Sequence, residues 1–459
     1  MNAPHEVVER ALSASTGDEC IVLASVTHSA NLRWANNTLT TNGVSRMNEL
    51  TIVSIVGSGK PRAASVTRTG VDESSVPDLV AESQSEAEGT PPAEDAAALI
   101  SGAAADDFDA PPGEASIDAL RSIADGLAAA FDRARSRDEG RFGYAEHSVT
   151  TTYLGSSTGL RLRDEQPGGR LELTGRSTDG QRSAWAGRTS ADIAGLDVGA
   201  LDADVAQRLE WSRRRIDLDA GHYDAILPPS AVADLMVEAY WSMGALDAHE
   251  GSTVYSRPGG GTRVGEPLSE LPVSLFSDPG LRGQECTPFV TAGASSRLSS
   301  VFDNGMPLER TDWIRDGKLA ALLQTRHSAA VTGLATTPYV DNLAMSVGDA
   351  NNSTADVVKA TERGLLLTCL WYIRIVDPQR LLLTGLTRDG VYLVENGEVV
   401  GAVNNFRFNE SPVGMLKRVS AAGRSEDTFA REFGDYFTRT RMPTLRIADF
   451  NMSSVSKAS

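Results

Sequence analysis

Cysteine is scarce in this chain: Cys20, Cys286 and Cys369 are the only three in 459 residues. They are odd in number and far apart, and none belongs to a Cys-x-x-Cys or similar ligand cluster. A disulfide framework is not expected; three reduced, largely buried thiols in a reducing compartment are. Long apolar runs are missing too, so no segment is predicted to span a bilayer. The N-terminus from Met1 to Ala11 is acidic and polar and lacks the charged-then-apolar plan of a signal peptide. A cytoplasmic protein with no membrane partner is the expectation. Basic charge is also short: 43 Lys and Arg against 61 Asp and Glu leave a net charge of −18. Such a surface repels phosphate backbones, so nucleic acid is set aside as a partner. No Gly-x-Ser-x-Gly elbow and no Gly-x-x-x-x-Gly-Lys-Ser/Thr loop occurs. Gly155-Ser156-Ser157-Thr158-Gly159 lacks the elbow's spacing and reads as a β-turn.

What is present is ordinary for a soluble globular protein: 41% hydrophobic and 23% charged residues. The length predicts two domains, with a boundary near residue 220. Residues 6–15 read as a short helix. Ile21–Val26, the alternating Ala30–Thr41, Leu50–Val56 and Ala63–Val66 read as strands of a small antiparallel sheet. Val71 to Ser116 is rich in Ala, Glu, Asp, Ser and Pro. It reads as a mobile, solvated excursion with a weak helix at Glu94–Ser101. Leu120, Ile123, Leu127 and Phe131 predict an amphipathic helix over Ile117–Arg135. Phe142–Leu171 returns to strands, and Val205–Ile216 reads as helix.

After residue 220 the pattern is mostly strands and glycine-punctuated turns. Hairpins are predicted at Arg315-Asp316-Gly317, Arg388-Asp389-Gly390 and Glu395-Asn396-Gly397. Short helices are predicted at Ser353–Glu362 and Val413–Ser420. The fold class is therefore α+β. Residues 1–220 form an N-terminal α/β domain with an antiparallel sheet. Residues 221–459 form a β-rich, barrel-like or sandwich domain around one clear helix. That helix runs from Ser230, an N-cap, to Gly244, a stop. Val232, Leu235, Met236, Ala239, Tyr240 and Met243 form its core stripe, and Glu238 falls off it, facing solvent.

Several segments, in order, carry a family resemblance. Pro228-Pro229-Ser230 opens the helix, and a Gly-rich loop with Arg263-Val264-Gly265-Glu266 follows. Then come Val301-Phe302-Asp303-Asn304-Gly305-Met306-Pro307 with Arg310-Thr311, and Ile314 through Ala329. Tyr392-Leu393-Val394-Glu395-Asn396-Gly397-Glu398-Val399, Asn409-Glu410-Ser411 and Pro443-Thr444-Leu445-Arg446-Ile447 complete the set. Together they resemble the TldD/PmbA peptidase family over nearly the whole chain. Catalytic members carry His-Glu-x-x-x-His-Gly on this helix and a late cysteine, which together hold Zn²⁺ and leave a place for water. Here Val237 and Ser242 stand at the histidine positions, Glu238 at the glutamate position, and Phe429–Met442 contains no cysteine. Valine offers no donor, and a lone carboxylate makes no zinc site.

The resemblance thus implies a metal-less TldE/PmbA-type subunit that binds no cofactor itself. Its partner would be a TldD-like catalytic subunit holding Zn²⁺ in a hetero-oligomer, and its substrates unfolded or modified peptides. Peptides would add in extended form to sheet edges. Gly259, Gly260 and Gly261 read either as lining of the cleft or as a plain loop. His327 is placed on a strand, in a hydrogen-bonding role. His249-Glu250 lacks a histidine at 253, where Thr253 stands, and is placed in a loop. His222 precedes a strand start and reads as structural, and His5, His28 and His147 are unpaired in the sequence. Two alternatives remain open. One is a hydrolase with a relocated site, using Glu238 with His249 or His327. The other is a homo-oligomeric peptide-binding or assembly protein.

Overall fold

The computed structural model describes residues 3–456. The N-terminal part opens with helix α1 (Pro4–Ala14), then strands β1 (Glu19–Ala35), β2 (Thr38–Val56) and β3 (Arg62–Thr69). Helices α2 (Val76–Gly89) and α3 (Arg121–Arg135) precede β4 (Glu139–Ser156), β5 (Arg161–Ser177), β6 (Ser183–Ser190) and α4 (Val198–Trp211). The six strands form one sheet in the order β3-β2-β1-β4-β5-β6, and every pairing is antiparallel. Asn36 and Asn37 split the alternating Ala30–Thr41 stretch into two strands. Both adopt left-handed backbone, with φ of 49° and 62°, as a two-residue hairpin turn requires.

Alternation along β1 assigns its two faces. Val22, Ala30, Leu32 and Trp34 point to the four helices, which cover one side of the sheet. Ile21 and Leu23 point to the other side, where Leu99, Phe289, Val301 and Phe302 meet them. The second domain therefore packs directly on the first domain's sheet.

Two helical expectations are corrected in this half. The excursion over residues 71–116 contains α2, and no helix forms at residues 94–101. Val76, Val80, Ser83 and Ala87 make a narrow buried stripe with small residues in it, which an acidic, alanine-rich composition conceals. The rest is extended chain tied to the sheet: Tyr153 Oη donates to the Ala110 carbonyl (2.6 Å) and Thr158 Oγ1 to that of Ile100 (2.7 Å). The helix expected over Val205–Ile216 instead begins at Val198. Asp197 caps it by accepting the Ala200 N–H (3.0 Å), and Arg215–Ile216 is a short strand.

The C-terminal part continues with β7 (Arg215–Ile216), β8 (Gly221–Leu227), α5 (Pro229–Trp241), α6 (Ala245–His249) and β9 (Val273–Ser277). Then follow β10 (Thr311–Arg315), β11 (Lys318–Leu319), α7 (Arg326–Thr332), β12 (Leu343–Val347), α8 (Thr354–Lys359) and β13 (Arg363–Leu367). The chain ends with β14 (Leu370–Asp377), β15 (Leu382–Thr387), β16 (Val391–Glu395), β17 (Glu398–Val403), β18 (Phe406–Glu410), α9 (Pro412–Met415), β19 (Val419–Thr428) and β20 (Thr440–Val455). These strands form one 14-stranded sheet whose long strand β20 pairs with β8, β12, β18 and β19. The α+β class is as expected.

Local details differ. Asp316-Gly317 and Asn396-Gly397 close hairpins, and a Cβ on Gly397 would fall 2.5 Å from the Lys359 carbonyl. Asp389-Gly390 turns the chain without making a hairpin, because β15 pairs with β14 and β18 while β16 pairs with β13 and β17. The helix expected at Val413–Ser420 is only α9 plus a 3-10 turn, since Val419 already belongs to β19. All three cysteines are free and buried.

One buried ion cluster ties α3 and α4 to the sheet. Arg141 is 0% exposed; its Nε meets Asp202 Oδ1 at 2.7 Å, and Arg133 Nε meets Oδ2 at 2.8 Å. Glu139 lies 2.9 Å from Arg141 Nη2 but is poorly aligned for a hydrogen bond. Asp202→Ala leaves buried Arg141 with only the poorly aligned Glu139 carboxylate beside it and is expected to cost about 3 kcal/mol, read as a lower urea midpoint. Arg121→Ala, which breaks an exposed pair with Asp118, should change stability by less than about 1 kcal/mol.

Candidate functional site

Helix α5 is the element the sequence singled out. It starts at Pro229 with Pro228 as N-cap, so Ser230 lies inside the first turn. Gly244 does not stop it: Ser242 is the C-cap, and Gly244, with φ of −59°, starts α6. The helix is buried on nearly every side. Val237 is 0% exposed within the domain core. Around its C-terminal half the rings interlock: Trp241 meets Phe433 at 5.1 Å, and Tyr240 stacks on Tyr339 at 5.3 Å and meets Phe437 at 6.0 Å. Tyr240 Oη also donates to the Val340 carbonyl at 2.9 Å.

Glu238 is half-buried, not solvent-facing, because strands and aromatic side chains surround the helix even off its stripe. Burial raises its pKa above the ordinary glutamate value, and nearby Arg374 opposes the shift. One turn earlier lies Asp234, fully buried, which the sequence reading passed over. The signal was available: Asp234 and Glu238 are the only charged residues in α5. Asp234 Oδ1 accepts the Glu432 N–H at 2.8 Å, and Oδ2 is buried without a partner. Burial pushes this carboxyl well above the usual aspartate range. The Glu432 carboxylate in turn accepts the N–H groups of Tyr372 (3.0 Å) and Ile373 (3.1 Å), holding Tyr372 in left-handed backbone with φ of 52°. Next to it Arg431 lies over Trp371 (3.9 Å) and over Trp185 of the N-terminal sheet (4.8 Å). The buried helix is thus linked through residues 431 and 432 to β14 and to the other domain.

The remaining candidates lie apart from this network. Gly259, Gly260 and Gly261 all have positive φ (90°, 108° and 83°) on a turn where an added Cβ meets nothing. The Gly261 N–H donates to the His249 carbonyl at 3.2 Å. His249 ends α6 and His327 lies in α7, so both occupy helices, where a loop and a strand were expected. The Thr325 capping box starts α7 and overrides the strand pattern. Among the described residues, neither histidine hydrogen-bonds Glu238, and no three His, Cys, Asp or Glu side chains converge as a metal-ligand set. The donors around α5 therefore do not fit a zinc site. Among the described residues, cavities lie along the domain junction. One, of about 600 Å³, lies at the N-terminal end of α5 beside Arg208 and Trp211; another, of about 390 Å³, lies between β4–β5 and the loops at 283–287 and 434–439.

Residues 220–454 match the PmbA/TldA metallopeptidase C-terminal domain, and residues 106–213 the central domain. The chain carries two domains of a family described as metallopeptidases. It belongs to the PmbA/TldD family. Among solved structures, TldE from Thermococcus kodakarensis matches with a TM-score of 0.75 at 16% identity, covering 97% of this chain and 98% of that one. A protein from Bacteroides thetaiotaomicron, described as a candidate modulator of DNA gyrase, matches with a TM-score of 0.76 at 13% identity, covering 98% of both. At such identities the likeness shows the fold. Among curated proteins none matches. No helix among the described residues is long and apolar enough to cross a membrane.

The buried carboxyl makes stability depend on pH. A folded-state pKa raised above 3.8 favours the folded form fully below the unfolded pKa, and that contribution is lost as pH rises through the folded one. Asp234→Asn keeps the acceptor for Glu432 N–H and removes the titration. It should raise Tm at pH 7 by roughly 2–4 °C, with the difference vanishing below about pH 4. A Tm difference independent of pH would contradict this assignment.

Proposed function

We propose that this chain is the non-catalytic, TldE-like subunit of a TldD/TldE-type zinc peptidase that degrades or matures small unfolded or modified peptides. The observation that carries the reading is α5: an intact, largely buried helix, with Val237 and Ser242 where the family's resemblance calls for histidines. Zn²⁺ would be held by a TldD-like partner, and this chain would form part of the substrate chamber in the cytoplasm. In this reading Val237, Glu238 and Ser242 are degenerate metal-motif positions, and the Gly259–Gly261 turn with His327 borders the cleft.

The outer edge of β2 supports association with another chain. β3 pairs with β2 only from Glu49 to Val56, which leaves the outer edge from Thr38 to Met47 without a strand among the described residues. Along it Leu39, Val44 and Met47 are 47%, 67% and 54% exposed. An open, partly apolar strand edge is a liability that a partner's surface relieves.

A second reading has one observation in its favour. The raised pKa of half-buried Glu238 suits a proton-transfer group, as a relocated hydrolase site would need. Two experiments separate these functions. Purified alone, the chain is expected to hold less than about 0.1 zinc per chain and to cleave no unfolded peptide. Stoichiometric zinc with robust cleavage would sink the subunit reading. In the assembled complex Glu238→Gln should leave cleavage within about twofold of wild type, whereas a loss on the order of a hundredfold would install the relocated site. For this edge, Leu39→Glu with Met47→Glu should abolish co-purification of the TldD-like partner while leaving the isolated chain's Tm unchanged.

A further inference from the structure

Arg208 is a cation enclosed without a counter-charge. It sits on α4, and its Nη1 donates to the Trp185 carbonyl of β6. Among the described residues no carboxylate pairs with it. Asp204, one turn earlier on the same helix, pairs with Arg188 at 3.1 Å instead. The protein around the guanidinium lowers its pKa from the ordinary arginine value, with Tyr392 and Asp204 opposing the shift. Nε and Nη2 have no acceptor among the described residues, yet neither is sealed into the packed interior. They open on the cavity of about 600 Å³ that Arg208 lines. Together Nε and Nη2 make the side edge of the guanidinium, a fork that can grip both oxygens of one carboxylate.

The rest of the lining narrows the counter-charge that fits. Trp211, Pro228, Pro229, Val358, Leu366 and Val399 give the cavity an apolar wall. Acidic residues line it too, but they are paired or turned to solvent. Glu426 pairs with Arg424 at 2.8 Å and Asp427 with Arg441 at 2.6 Å. Glu398 is exposed on the β16–β17 hairpin. Arg208 is thus the charged group of this lining that is both enclosed and unpaired among the described residues. The acidic neighbours repel a dianion such as phosphate more strongly than a single carboxylate.

The volume lies within the range of small-ligand sites. We propose that this cavity binds a monocarboxylate with an apolar body, its carboxylate on the free edge of Arg208 and its body along Trp211 and Val399. Such a ligand supplies the counter-charge that the enclosed guanidinium lacks. It also removes the apolar wall from water. The carboxylate comes either from the C-terminus of a peptide or from a free small acid. The site lies at the opposite end of α5 from Val237 and Ser242, and every group in it belongs to this chain. It therefore stands whether or not a catalytic partner is bound.

Calorimetric titration of the full chain distinguishes the sources. N-acetyl-leucyl-phenylalanine offers a peptide C-terminus, phenylpropionate a free acid, and N-acetyl-leucyl-phenylalanine amide the peptide body without a carboxylate. Saturable binding of one or both acids is expected, with none of the amide. Arg208→Gln should weaken binding about tenfold or more. Ala355→Trp, at an exposed α8 position on the cavity wall, should block binding with an unchanged Tm. It decides the matter if Arg208→Gln does not fold. The proposal is overturned by failure of both acids to bind up to about 10 mM or by equal binding of the amide. Wild-type affinity in a folded Arg208→Gln variant, or in Ala355→Trp, overturns it too. Tighter binding of phenyl phosphate than of phenylpropionate would do the same.

Discussion

Ten of the thirteen residues of α5 are buried, and this single constraint organises the second domain. A helix apolar on nearly every side cannot lie on a surface, so the sheet must wrap it. Each fully buried Leu, Met or Val contributes about 1.5–3 kcal/mol relative to exposure. The strands β8, β9, β12, β13 and β20 all contribute side chains to the same core cluster as α5. Within that enclosure Val237 fits as an ordinary core residue. Polar donors at its place would need partners that the aromatic packing of Trp241, Phe433 and Phe437 does not supply.

Enclosure also explains the two acidic residues. Asp234 is tolerated because one oxygen accepts a backbone N–H from Glu432 and because protonation removes the cost of a buried charge. Glu432 then shapes β14, and Arg431 carries the connection across the domain junction between Trp371 and Trp185. Residues 429–437 are thus a hub between helix, strand and neighbouring domain. The same segment's end, at 434–439, forms part of the polar interdomain cleft. Changes at this junction will be felt on both sides of it.

Much of this was legible residue by residue. Leu120, Ile123, Leu127 and Phe131 announce α3, Asn396-Gly397 announces its hairpin, and the family's segments appear in order. The failures share causes. Helix α2 hides in small and acidic residues, so hydrophobic periodicity is weak there. Asp389-Gly390 carries the right turn chemistry, but strand partners are chosen by the whole sheet. Asp234 looked like any polar residue beside a core stripe, because periodicity describes one helix and not what surrounds it.

The sequence by itself determined the class, the family and the missing donors, because these depend on residue types and their order. A valine cannot become a ligand in any fold. Tertiary structure alone decided which polar groups are stranded. Burial of Asp234, the half-burial of Glu238 and the unpartnered oxygen of Gln284 arise from segments distant in the chain. The reason is physical: solvation and hydrogen-bond satisfaction are properties of an environment, and only the packed chain creates one.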